Sequence, residues 1–190
     1  MKMKKFFIII GVILSVLLLV YLVWPYEPVS IYDFKKLPES VNSKLPGDTV
    51  QVKNLTAFFS NNYRDFVIPF YKKDYQNMVR LPFSPLRLIH PPEYAFTYIK
   101  DQTQSTYLEE LTYPLRGSLF INGLEPFDEK TKEARFAGAT RFDQDGGSYE
   151  TKVILRYYPS SVIFRIITWI GLNLSVIILW KVGKKVIKDA

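Results

Sequence analysis

The chain of 190 residues contains no cysteine and a single histidine. The lack of cysteine excludes disulfides, thiol nucleophiles, thiolate-held metals and lipid attachment through sulfur. With one histidine besides, a typical zinc site has no ligand set. Neither a G-x-S-x-G elbow, an S-x-x-K pair nor a phosphate-binding glycine-rich loop occurs. Long Gly/Ser linkers, internal repeats and low-complexity runs are also missing. Between residues 25 and 160 there is no tryptophan, and Trp24, Trp169 and Trp180 all fall in two apolar stretches.

Those stretches dominate what is present. Residues 6–24 carry no charge, and residues 161–180 carry one, Arg165. Each is close to the roughly 20 residues that cross a hydrocarbon core. The first follows the basic MKMKK. Its run is long, and Val23-Trp24-Pro25-Tyr26 offers no small-residue cleavage site, so it reads as an uncleaved signal anchor. Lys2, Lys4 and Lys5 precede the first stretch, and Lys181, Lys184, Lys185 and Lys188 follow the second. The positive-inside rule then predicts a cytoplasmic tail at 1–5, a span at 6–24, an extracytoplasmic domain at 25–160, a span at 161–180 and a cytoplasmic basic tail at 181–190.

The net charge of +7 follows this layout, because residues 25–160 hold 17 basic and 17 acidic groups. The excess flanks the apolar stretches, where it suits anionic lipid headgroups and not nucleic acid. The expected partners are the lipid bilayer and another membrane or envelope protein. No cofactor is expected.

Within the middle domain the pattern predicts an α+β fold, helices first and then a small antiparallel sheet, flanked by the two transmembrane helices. A short strand is expected over 49–53. Phe59, Tyr63, Phe66 and Phe70, then Tyr71, Tyr75 and Met78, recur at helical spacing, with Pro69 expected to break or bend the helix near residue 67. Four prolines in 81–92 predict an extended connector. Residues 93–102 fit a helix or a strand. STYLEEL reads as a short helix capped by Ser105. Asn122-Gly123 reads as a tight turn. Residues 134–142 and 148–158 flank Asp-Gln-Asp-Gly-Gly as a hairpin, and Tyr149, Thr151, Val153, Leu155 and Tyr157 share one face of its second strand, with Ile154 the exception on the other.

Candidate site residues follow from chemistry and position. His90, Glu93 and Asp101 are the weak acid/base candidates. Asp143 and Asp145 alternate oxygens as a weak calcium candidate, without the remaining ligands of an EF-hand loop. Glu109-Glu110 reads as a solvated face or, with Asp101 or Glu125, as a carboxylate pair. Gly11-x-x-x-Ser15 and Gly171-x-x-x-Ser175 lie at matching depths from the flanking lysines, so a packed helix hairpin is expected, with Asn173 needing a partner near mid-span. Trp24, Tyr26, Tyr157, Tyr158 and Trp180 are placed as membrane-interface rings, and Arg165 as a snorkelling cation.

The two tails are too short to be output domains. The expected function is that of a two-pass membrane protein whose outer domain binds a partner as an accessory or scaffold subunit of an envelope complex. The alternatives are an envelope enzyme acting on a glycan or lipid through His90, and a mechanical or signalling coupler.

Overall fold

A computed structural model describes residues 2–49, 52–99 and 104–189. The chain divides into two units, residues 1–25 with 160–190, and residues 26–159. The first unit is two helices, α1 (Lys2–Val23) and α5 (Val162–Asp189). Their stretches Lys5–Val23 and Val162–Ile187 are each long and apolar enough to cross a membrane. Their apolar side chains are mostly exposed, from Phe6 to Leu17 on α1 and from Ile163 to Leu179 on α5.

The second unit is a mixed α+β domain built on a six-stranded antiparallel sheet. Its strands are β1 (Val41–Asn42), β2 (Leu55–Ser60), β3 (Leu86–His90), β4 (Tyr107–Thr112), β5 (Ser118–Leu124) and β8 (Thr151–Tyr158). They lie in the order β1-β2-β8-β5-β4-β3. A separate hairpin joins β6 (Phe142–Gln144) to β7 (Gly147–Tyr149). Asp145 and Gly146, between them, both have positive φ (51° and 80°). That conformation matches the strand twist in a two-residue hairpin turn, and Asp-Gly tolerates it best. Among the described residues the domain also has the α-helices α2 (Pro46–Thr49), α3 (Arg64–Val79) and α4 (Ala95–Tyr98), with 3-10 turns at Ile31–Asp33 and Pro92–Tyr94.

Helix α3 covers one sheet face. It buries Val67, Ile68, Tyr71, Asp74, Tyr75 and Val79. They meet Phe58, Tyr107, Leu111, Leu119, Ile121, Val153, Leu155 and Tyr157 from the strands in one core. The opposite face is covered more thinly. Residues 95–99 lie over it, with Tyr98 stacked on Phe120 at 4.2 Å and its carbonyl accepting from Arg156 and from Tyr158. Ile154 turns to this side and packs with Val52, Leu55, Ala57 and Ile99. Strand β8 is therefore buried on both faces, which explains the apolar residue that broke its alternation.

Several expectations are corrected. Strands β1 and β2 precede the long helix, so the domain is not helices followed by a sheet. The strand expected at 49–53 is replaced by α2 and a turn, with Val50 and Gln51 outside the described residues. Phe59 lies in β2, and Phe66 and Phe70 of α3 stack on each other with Phe66 exposed, so the buried stripe of the helix is rotated away from that face. Pro69 lies inside α3 without ending it. It removes only one donor near the helix start, and the core contacts on either side hold the turn. STYLEEL is strand and not helix. Residues 134–142 form turns apart from Phe142 and an isolated bridge between Phe127 and Ala134. Of residues 93–102, which fitted helix or strand, those up to Tyr98 form helical turns, and residues 100–102 lie outside the described residues.

Asn122-Gly123 lies within β5 and makes no turn. Gly123 pairs with Tyr107 across β4, and the tyrosine ring lies over the space a Cβ would fill. A small residue is required there because the aromatic ring replaces the missing side chain. Gly123→Ala is expected to lower stability by about 1–3 kcal/mol through overpacking, read as a reduced Tm of the detergent-solubilised chain.

Candidate functional site

The antiparallel register decides which polar groups meet. Tyr107, Glu109 and Leu111 face α3, and Leu108 and Glu110 face the other side. Glu109 is thereby carried into the interior, 0% exposed. Arg64, the first residue of α3, reaches it through Nε at 2.6 Å, and Arg87 of β3 donates to it through Nε and through Nη2. A buried carboxylate is tolerable only with such compensation. The paired glutamates are therefore not a solvated face: Glu109 is a structural anion, and Glu110 meets a different partner.

Beside them Glu125 accepts from the Arg64 backbone N–H at 2.6 Å, where the side chain of Tyr63 supplies no cap. A carboxylate in that position complements the helix dipole. Burial pushes the Glu125 carboxyl up, against the opposing effects of the Arg64 N–H and Arg135. A polar cleft of about 300 Å³ opens here, lined by Arg64, Tyr107, Glu125 and Arg135 among others. Tyr107 Oη is buried without a hydrogen-bond partner among the described residues, and burial pushes its hydroxyl far up.

The acid/base candidates do not converge. His90 ends β3, and its Nε2 lies 2.9 Å from Glu110 Oε2. Its ring neighbours are Tyr98 and Phe120. Glu93 lines another cleft, of about 620 Å³, with Pro92, Phe96 and Ser105, and His90 is not among its lining residues. Asp101 lies outside the described residues. Asp143 is exposed on β6, and Asp145 pairs with Lys44 at 2.8 Å, which holds its carboxyl low. No cluster of three or more metal-binding side chains occurs among the described residues.

In the helix pair, Ser15 Oγ donates to Asn173 Oδ1 at 2.7 Å, and Trp169 Nε1 donates to the Ser15 carbonyl at 2.9 Å. Asn173 Nδ2 donates to the Trp169 carbonyl. A Cβ on Gly11 or Gly171 would meet nothing within 4 Å, and Ser175 is exposed. The hydroxyl, amide and indole make the contact, and the two glycines bring no backbones together. Trp24, Tyr26, Tyr158 and Trp180 are exposed. Tyr157, expected among them, is 1% exposed because it packs in the core against Phe34 and Tyr75. Arg165 is also buried.

Sequence reasoning passed over the sheet edge. Strand β3 pairs only with β4, and its outer side has no backbone partner among the described residues. Leu86, Leu88 and Ile89 are exposed on it, Ile89 at 67%. Phe83, Tyr94 and Phe96 are exposed on either side in sequence. Such edges usually carry charge against unwanted pairing. Here Arg87 and His90 are occupied by Glu109 and Glu110. Exposed leucines between prolines were the available signal, read only as an extended connector.

No family model matches the chain, and neither a curated protein nor a solved structure does.

The raised Glu125 carboxyl has a definite sign. A folded-state pKa above the unfolded value, about 4.3, contributes stability that is complete below that pH. The contribution is lost as pH rises through the folded value. Glu125→Gln keeps an acceptor for the Arg64 N–H and stays neutral. Its Tm is expected to gain on the wild type as pH rises through that window, and parallel profiles would show that Glu125 is not responsible.

Proposed function

We propose that the chain is a two-pass membrane protein whose middle domain lies outside the cytoplasm and binds a protein partner, as an accessory or scaffold subunit of an envelope complex. The apolar, unpaired edge of β3 carries the reading. An exposed edge offers backbone donors and acceptors to an extended segment, and its side chains supply apolar contact. The internal pairing of Arg87 and His90 leaves that edge without free charge, which suits an uncharged, apolar strand from the partner. Pro85 and Pro91 bound it to five residues, so it takes one segment without extending further.

Leu88→Asp with Ile89→Asp tests this. Both side chains are exposed, so the domain should keep its fold by circular dichroism. Co-purification in mild detergent, with mass spectrometry of what remains bound, should lose a stoichiometric partner that the wild type and an exposed control, Lys130→Gln, retain. Identical retention by all three would discard the edge as the binding site.

A coupler is the second reading, favoured by a buried network at the two ends of the domain. Glu27 accepts from the Gly117 N–H at 2.5 Å, from Tyr157 Oη at 3.3 Å and pairs with Arg116 at 3.2 Å. The residues entering and leaving the domain are thus tied together, with three residues between Tyr158 and α5. If motion passes along this link, inserting Gly-Ser-Gly after Tyr158 should abolish the cellular function while partner binding persists. A scaffold should tolerate the insertion. The enzymatic reading draws only on the His90–Glu110 contact.

A further inference from the structure

The middle domain is neutral as a whole, yet its cations are not neutralised evenly. Lys36, Lys72, Lys73 and Arg80 have no ion-pair partner among the described residues, and Lys35 approaches Asp74 only at 3.7 Å. The fold gathers them around the second half of α3. Lys73 and Asn77, four apart, share one helix face. The Lys35 N–H donates to Asp74 Oδ2 at 2.9 Å, bringing residues 35 and 36 against the same helix. Arg80 ends α3 in the left-handed conformation, φ 58°, with its N–H on the Gln76 carbonyl.

A cavity of about 390 Å³ takes two of these cations, Lys35 and Arg80, into a lining completed by Tyr26, Asp74, Asn77 and Met78. It offers an ammonium, a guanidinium, a side-chain amide and a phenol. Its one acid, Asp74, is buried, accepts the Lys35 N–H and pairs with the Lys35 ammonium at 3.7 Å, so Arg80 is the cation without an ion-pair partner among the described residues. Tyr26 is exposed on its lining, and Val29 and Tyr32, which follow it in sequence, are exposed as well. In sequence, Tyr26 comes three residues after the last residue of α1.

We propose that this cavity binds the phosphate headgroup of an anionic phospholipid. The proposal rests on the membrane reading above. Phosphate oxygens take charge-assisted hydrogen bonds from Lys35 and Arg80. The exposed Tyr26 ring on the same lining is of the kind that sits at the headgroup level of a bilayer. The cavity has no free carboxylate for the cationic end of a choline or ethanolamine headgroup, so it favours a net negative lipid.

The test uses the full, delipidated chain in detergent, in a background where Lys181, Lys184, Lys185 and Lys188 are glutamine, so that the basic tail does not contribute. Native mass spectrometry with phosphatidylglycerol and phosphatidylcholine should show a preference for the former on the order of tenfold. Lys35→Gln with Arg80→Gln should abolish it, while Lys130→Gln in another loop should not. An unchanged preference in the double variant overturns the proposal. Displacement of phosphatidylglycerol by millimolar inorganic phosphate also overturns it, in favour of a site for free phosphate. Alkaline carbonate extraction of cells separates the two readings. A chain that stays in the pellet without lipid preference overturns the headgroup site alone, and a chain released to the supernatant overturns the membrane reading with it.

Discussion

Strand β8 is the element on which the middle domain depends. It pairs with β2 on one side and β5 on the other, joining the strands that precede α3 to those that follow it. Its inward residues Val153, Leu155 and Tyr157 meet α3, and Ile154 fills the opposite face. Because it is also the last strand, the sheet cannot close until the whole domain has been made. Pairings that bridge about a hundred residues carry a loop-closure cost before any contact offsets it. The end of β8 is fixed in turn by Tyr157, whose ring lies in the core and whose hydroxyl donates to Glu27.

Three buried or nearly buried carboxylates are handled by the same physics. Glu109 has Arg64 and Arg87, Glu27 has Arg116, and Glu125 has a helix N-terminus with Arg135 at 3.6 Å. Replacing such groups by apolar residues often costs little, whereas removing one partner alone is severe. Their effect here is on arrangement: each pair joins segments distant in sequence and rejects alternatives that would bury a lone charge. Without disulfides, the domain relies on these pairs and on its aromatic core.

The functional reading depends on where apolar surface is left uncovered. On α1 and α5 it covers long helices, which suits a bilayer. On β3 it lies along a strand edge whose charges are internally paired, which suits a protein segment. Near Tyr26 it borders Lys35 and Arg80, which suits a lipid headgroup. The buried polar cluster around Glu109 joins two arginines to one carboxylate. Its arginines neutralise it, and His90 turns to the other face of the sheet.

The features legible in the sequence are those decided by neighbours in the chain. The two long helices follow from unbroken apolar runs, the β6–β7 turn from Asp145-Gly146, and the inward face of β8 from its alternation. What sequence alone could not decide depended on distant partners. STYLEEL has helical composition, but it is a strand because β3 and β5 supply its hydrogen bonds and Arg64 and Arg87 make a buried Glu109 tolerable. Asn122-Gly123 signals a turn, but Tyr107 from the neighbouring strand occupies the space beside the glycine. Tyr157 sits near an apolar helix in sequence, but Phe34, Tyr75 and Glu27 draw it inward. Local pattern determined which segments are apolar or turning. Only tertiary pairing decided which of them face each other, because a residue's burial is set by the partner across the sheet.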